Sequence, residues 1–377
     1  MSPHLPLPNV DPDGLLEYSV VFTDRALNHM SARFVAVMQD IIGMLKQTYS
    51  AHSVAIVPGG GSFAMEAVAR QFAHGKRCLV LRNGFFSYRW SQIIDTGSIT
   101  DHHTVLKARP TTDANPSPWA PAPIAEVVER INQERPELVF AAHVETASGM
   151  LLSDDYLRAV AEATHAVGGL FVLDCVASGA LWTDMTAVGA DLLLSAPQKG
   201  WSGSPCAGYV MFSEAGRAAI ESTTSSSFSA DLKRWLLLTE GYAEGKHAYH
   251  ATVPTDTLQR NAAVMRETLE RGMPELTAAQ WELGTAVRAA LAERGIMSVA
   301  AAEFASPTVV VCHEPVPGRS TAAELAKVGV QAAAGVPLAC DEPADFATFR
   351  MGLFGLDKWA DIDGTVQRLT DALDKIG

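Results

Sequence analysis

Lys199 follows an apolar run in "LLLSAPQKGWSGSP" (192–205), where Ser, Gly and Pro stop a helix from forming. A lysine delivered inward by a buried strand loses hydration, its pKa falls, and its free amine can act as a nucleophile or Schiff-base former. Asp174, 25 positions earlier, closes a second apolar run, "GLFVLD". A carboxylate at the end of a buried strand needs a partner, because burying an unpaired charge is very costly. A third feature, "PGGGSFAMEA" (58–67), turns a strand into a helix. Backbone N–H groups at such a helix start, helped by the helix dipole, hold phosphate. No G-K-[ST] follows, so this is not a Walker loop, and the third glycine of a dinucleotide fingerprint is replaced. Taken singly, the three features also fit a surface lysine, a capping carboxylate and an ordinary turn.

The elements around them place all three at one edge. "RFVAVMQDIIGMLKQTY", "SFAMEAVARQFA", "SYRWSQIID", "AEVVERINQ" and "SDDYLRAVAEATHAV" carry helical apolar spacing. Between them run the short apolar segments "SVAIVP", "RCLVLRN", "ELVFAAHVE", "GGLFVLDCVA", "DLLLSAP" and "CAGYVMFS". Apolar strands alternating with helices predict an α/β fold with a mostly parallel central sheet covered on both faces. Ligands in such sheets bind beyond the carboxyl ends of the strands. Gly59–Ser62, Asn83–Phe86, Glu145–Thr146, Asp174 and Lys199 all stand at such ends. From about residue 256 long helices precede "TVVVCHE", "KVGVQAAAG", "FRMGLFG" and a closing helix, which predicts a smaller C-terminal α+β domain. The expected organisation is a Pro-rich extended arm over 1–20, a large domain over 21–255 and a small domain over 256–377.

Amine, carboxylate and phosphate cradle together are what pyridoxal 5'-phosphate requires. The lysine forms the Schiff base, the aspartate keeps the pyridine nitrogen protonated, and the helix start holds the phosphate.

Composition narrows the partners. A net charge of -13 without a Lys/Arg cluster argues against nucleic acid, which binds through concentrated positive charge. An anionic membrane surface is disfavoured for the same reason. No apolar run approaches the roughly 20 residues needed to span a bilayer. The five cysteines are scattered, with no C-x-x-C pair, so reduced thiols are expected rather than disulfides or a metal site. "MSPHLPLPNVDPDG" lacks the basic and apolar regions of a secretory signal, and a cytoplasmic location is expected.

On these motifs the chain resembles the class V aminotransferases of fold type I, nearest in pattern to the alanine–glyoxylate and serine–pyruvate branch. The resemblance runs from about residue 50 to 360, with the motifs in the family's order. It implies that Gly60, Gly61 and Ser62 bind the cofactor phosphate and that Phe86 of "NGFFSYRW" stacks on the ring. It further implies that Thr146 of "HVETASGML" contacts the ring hydroxyl, Asp174 the ring nitrogen, and that Val176 packs under the ring. By the same resemblance Gln198 of "SAPQKG" is expected near the phosphate and Lys199 as the aldimine lysine. It also implies that Tyr249 and Thr252 of "YHATVPT" reach the neighbouring subunit's phosphate and that Arg350 of "FRMGLFG" binds the substrate carboxylate. The implied protein is a homodimer with shared sites that moves an amino group from a small amino acid or related amine to pyruvate or glyoxylate.

Some residues depart from that pattern. Asp24, Arg25, Asn28 and His29 make the opening unusually polar, Trp201 follows the lysine, and His247 and His250 flank the inter-subunit segment. These leave the amino donor open. The related alternative is a cysteine desulfurase or other class V lyase, with Cys340 upstream of Arg350 as its candidate thiol. Outside the transaminase reading stand a non-catalytic cofactor-binding protein and a nucleotide-dependent oxidoreductase.

Overall fold

The structure, a computed structural model, describes residues 10, 11, 14–16, 18, 19 and 25–376. Asp24 and most of the arm expected over 1–20 lie outside the described residues.

Seven apolar runs pair into one sheet: β1 (Ser53–Pro58), β2 (Cys78–Arg82), β3 (His103–Lys107), β4 (Leu138–Ala142), β5 (Leu170–Asp174), β6 (Leu192–Ser195) and β7 (Ala207–Phe212). Their spatial order is β1-β7-β6-β5-β4-β2-β3. From β3 across to β6 every neighbouring pair is parallel. β7 runs antiparallel to both β6 and β1. The sheet is therefore mostly parallel, as expected. Val, Leu, Ile, Phe and Ala fill both faces of its inner strands because helices cover both sides.

Helix α1 (Ala32–Tyr49) starts at Ser31, whose hydroxyl accepts the Phe34 amide at 3.1 Å. Its buried Phe34, Met38, Ile41, Leu45 and Tyr49 recur at helical spacing and pack on the sheet's core. Helix α2 (Gly61–Phe72) leaves β1, and helix α3 (Phe85–Thr96) leaves β2. β7 carries Gly208 where α2 begins. A Cβ there would lie 2.7 Å from the Gly60 carbonyl oxygen, so only glycine lets the turn sit this close to the strand.

Two apolar runs end earlier than their sequence suggests. "ELVFAAHVE" leaves the sheet after Ala142, because the amide of His143 donates to the Asp174 carbonyl and its ring binds Ser178 Oγ at 2.8 Å. Val144–Glu145 then pairs with Met150–Leu151 in a separate two-stranded ladder. In "KVGVQAAAG" only Ala333–Ala334 is strand.

The C-terminal part holds a three-stranded antiparallel sheet, with β10 (Thr348–Gly352) between β8 (Val309–His313) and β9 (Ala333–Ala334). Leu283, Val287 and Leu291 of helix Met273–Ala292 pack on Val310, Phe349 and Met351 of that sheet. Helix Thr255–Glu270 instead gives Leu258, Ala262 and Met265 to the core of the large sheet. A third apolar cluster joins the two sheets, with Ala147, Ala177, Val309 and Leu338 at its centre and Phe86 and Phe354 packed against it.

Candidate active site

A cavity of about 190 Å³ opens at the carboxyl ends of the parallel strands. Its lining brings together Gly61 and Ser62 from the start of α2, Phe86 and Arg89 from α3, and Val144 and Thr146 from the short ladder. Asp174 and Val176 follow β5, and Gln198 and Lys199 follow β6.

The start of α2 is free to receive an anion. Gly60 is its N-cap and offers no side-chain hydrogen bond, and no acidic residue stands in the first turn. The first amides of a helix have no partner within the helix. A Cβ on Gly61 would lie 2.9 Å from Val176 Cγ2, so glycine lets the helix start close on Val176, two residues after Asp174.

Phe86 is held by a buried carboxylate. Glu145, fully buried, accepts the amides of Phe86 at 3.1 Å and Ser87 at 2.8 Å, together with the Ser87 hydroxyl at 2.7 Å. These bonds fix the first turn of α3 and with it the ring of Phe86.

Asp174 is buried, and its Oδ1 accepts the amide of Val176 at 2.9 Å. Burial pushes its carboxyl up to about 6, aided by the charge of Glu145; the Val176 amide, Arg89 and Lys199 oppose the rise. Lys199 is half-buried. Burial first, and then the positive charge of Arg350, hold its amine below the ordinary lysine range, against the attraction of Asp174. Its Nζ lies 4.9 Å from the ring centre of Phe354. The backbone under it is pinned by bonds from the Ser202 amide to the Lys199 carbonyl and from the Gly203 amide to the Pro197 carbonyl. Trp201 is fully buried against Trp182 and Tyr49, a core residue beneath the lysine turn.

Arg350, on β10, approaches from the small sheet, with its guanidinium carbon 5.6 Å from the ring centre of Phe86. Its Nε donates to the Ala334 carbonyl, leaving the two terminal nitrogens for a ligand. Tyr249 and Thr252 are exposed and do not line this cavity. They border another, of about 200 Å³, shared with Leu27, Asn28 and His29. His250 Nε2 donates to the Phe228 carbonyl and its ring packs on Phe228 and Trp235, while His247 is exposed.

The sequence profile described as Aminotransferase class-V matches residues 16–353. The chain belongs to the class V aminotransferase family. As a class V aminotransferase it is a pyridoxal-phosphate-dependent transaminase. It is 25% identical over 280 residues to alanine–glyoxylate aminotransferase 1 of Saccharomyces cerevisiae, covering 68% of this chain and 67% of that one. It is 26% identical over 366 residues to 2-aminoethylphosphonate–pyruvate transaminase 2 of Paraburkholderia xenovorans, covering 94% and 90%. The crystal structure of an alanine–glyoxylate aminotransferase from Nostoc sp. superposes with a TM-score of 0.77 at 21% identity, covering 92% of this chain and 89% of that one. That likeness concerns the fold, of fold type I.

The residues of this class V aminotransferase fit its cofactor. Gln198 Oε1 is buried and accepts no hydrogen bond, an orphaned acceptor that a ligand donor would satisfy. The amides of α2, a buried carboxylate and a half-buried amine face the same space. Sequence reasoning assigned no role to Glu145, Arg89 or Phe354. Arg89 stands three positions after Phe86 on α3 and therefore on the same helix face, a signal visible once the helix is known to start at Phe85. Glu145 is 59 positions from Phe86, and no local pattern links them. Among the described residues no helix is long and apolar enough to cross a membrane.

Proposed function

We propose that this transaminase moves an amino group from a small amino acid or related amine to a small 2-oxo acid such as pyruvate or glyoxylate, with Lys199 as its covalent anchor and proton carrier. One observation carries the reading: Lys199, Asp174, Phe86 and the Gly61–Ser62 turn border a single cavity. The yeast relative is named for alanine and glyoxylate and the Paraburkholderia relative for 2-aminoethylphosphonate and pyruvate, and this supports a small donor and a small acceptor.

Pyridoxal phosphate, when bound, supplies an aldehyde carbon that amines bond to and a ring that takes up the electron pair of a broken Cα–H bond. Gly60, Gly61 and Ser62 hold the phosphate with backbone and hydroxyl donors, and Gln198 adds its side chain nearby. Phe86 and Val176 enclose the ring, and Thr146 bonds its hydroxyl. Asp174 keeps a proton on the ring nitrogen, since a nearby cation favours its ionised form. Lys199 Nζ would take the donor's α-proton and return it. Burial and the charge of Arg350, which hold its pKa below the ordinary lysine range, favour the free amine for that work. Arg350 orients the substrate carboxylate through two parallel hydrogen bonds. Phe354, against Lys199, keeps water from the amine.

The active form in this reading is a cytoplasmic homodimer in which Tyr249 and Thr252 serve the partner's phosphate. In this reading the chain divides into an arm ending near residue 20, a large domain and a small domain. Helix Thr255–Glu270, packed on the large sheet's core, closes the large domain, so that the boundary falls after it and not near residue 255. A desulfurase reading finds no support at Cys340, whose buried thiol is pushed up to about 12 and donates to the Arg82 carbonyl.

The test is a half-reaction screen. The cofactor-loaded protein is mixed with a panel of small amino acids and aminophosphonates, and the loss of its visible absorbance is followed. Conversion by one or more donors, reversed by pyruvate or glyoxylate, is the expected result; a protein bleached by none of them, or one releasing sulfide from cysteine, defeats the proposal.

A further inference from the structure

Arg89 has no role in the assignments above, yet it reaches the cavity. Its Nη1 donates to Ser62 Oγ at 2.8 Å, and its guanidinium carbon lies 5.1 Å from the ring centre of Phe86. It forms no salt bridge among the described residues. An arginine that lines a cavity, is steadied by an aromatic ring and forms no direct ion pair is arranged for an outside anion, even though its charge also reaches Asp174.

We infer that Arg89 is the same-chain counter-cation of the cofactor's phosphate and that it sets Ser62 as a phosphate donor. The inference rests on the proposed cofactor site and extends it to a residue not yet assigned.

Three observations support this. First, Arg89 meets the turn at Ser62, the second residue of α2, whereas Arg350 approaches from β10 of the small sheet. Second, Ser62 Oγ acts as the acceptor in that bond. A hydroxyl carries one proton and two lone pairs, so the Ser62 proton stays available for an anion. Third, the phosphate carries close to two negative charges at neutral pH, while the helix start supplies only a partial positive charge. Lys199 lines the same cavity, but its amine is committed to the covalent bond. Arg89 supplies the missing full charge, with four further N–H donors in a fixed fork.

The experiment compares the affinity of the full-length, cofactor-depleted protein for pyridoxal phosphate and for pyridoxal, which lacks the phosphate. In Arg89→Gln, pyridoxal phosphate is expected to bind about tenfold or more weakly, the usual size of a lost charge-assisted hydrogen bond, with pyridoxal unchanged. Arg89→Lys is expected to fall between, keeping the charge and losing the fork. Equal losses for both ligands would show a packing role and overturn the inference, and so would no loss for either. If neither substituted protein folds, the unsubstituted protein loaded with pyridoxal is labelled with phenylglyoxal. Protection of Arg89 by inorganic phosphate supports the inference, and absence of protection overturns it. An unsubstituted protein that takes up no pyridoxal phosphate through Lys199 removes the proposed function as well, so the two failures are distinct.

Discussion

The carboxylate of Glu145 receives both the amide and the hydroxyl of Ser87, at 2.8 and 2.7 Å, from a strand end 58 positions along the chain. Through these bonds the ladder beyond β4 aims the first turn of α3. Glu145→Ala leaves several buried donors without a partner, each at a cost of about 1–3 kcal/mol. We expect a fall of roughly 3 kcal/mol or more in stability, read as a lower melting temperature, with weaker cofactor binding as Phe86 loses its support. Glu145→Gln retains an acceptor and is expected to lose less on both measures.

Lys199→Ala should abolish covalent retention of the cofactor. Borohydride treatment followed by intact-mass measurement gives the readout: the unsubstituted protein gains the reduced adduct and the variant does not. Turnover should fall by roughly 10²–10⁴-fold or more, the usual contribution of a positioned proton carrier. Near-normal turnover would remove Lys199 from its role.

Burial raises the Asp174 carboxyl to about 6 from 3.8. Between those values the folded, cofactor-free protein holds a proton that the unfolded chain has released, so stability from this group is full below about pH 4 and is lost as pH rises through about 6. Asp174→Asn removes the titration. The cofactor-free variant is expected to exceed the unsubstituted protein in stability at about pH 7 by on the order of 3 kcal/mol and to match it near pH 4. With cofactor present the same variant should be almost inactive, since nothing then holds the ring proton.

Arg350→Lys keeps the charge and loses the paired terminal nitrogens. An increase in KM for carboxylate substrates, with kcat/KM down by about 10–100-fold, is expected in steady-state assays. Cofactor absorbance should be unaffected, because Arg350 does not line the wall of the ring cavity.

Cys340→Ala should leave transamination intact. The thiol is buried, with its pKa pushed up to about 12, so alkylation of Cys340 in the folded protein should be slow by mass spectrometry. Sulfide released from cysteine in a Cys340-dependent manner would reverse this assignment.

Lys199 and Asp174 were legible in the sequence because each is a charged residue ending an apolar run, and a parallel sheet brings such ends to one edge. β7 was legible as a strand from "CAGYVMFS", but its antiparallel insertion between β1 and β6 was not, since apolar pattern carries no direction. Placing the start of α3 at Ser87 instead of Phe85 hid Arg89, because only the earlier start fixes which residues share the face of Phe86. Glu145 could be placed at a strand end but given no purpose, since its partners come from a helix distant in sequence. Tyr249 and Thr252 are exposed in a single chain, where the pattern of their own segment assigns them no contact.

The strand leading into the Gly61–Ser62 turn and the strand leading into Lys199 never touch; each pairs with β7. During synthesis the amino-terminal half of the pocket is made first and must wait. Until residue 212 has left the ribosome, the glycine turn has no fixed distance to the lysine, and no cofactor can be captured by both. Late closure by a non-local strand is slow and leaves apolar edges open meanwhile. A nascent chain arrested just short of that point would expose β1 and β6 as bare edges, and cofactor in the medium could not rescue it.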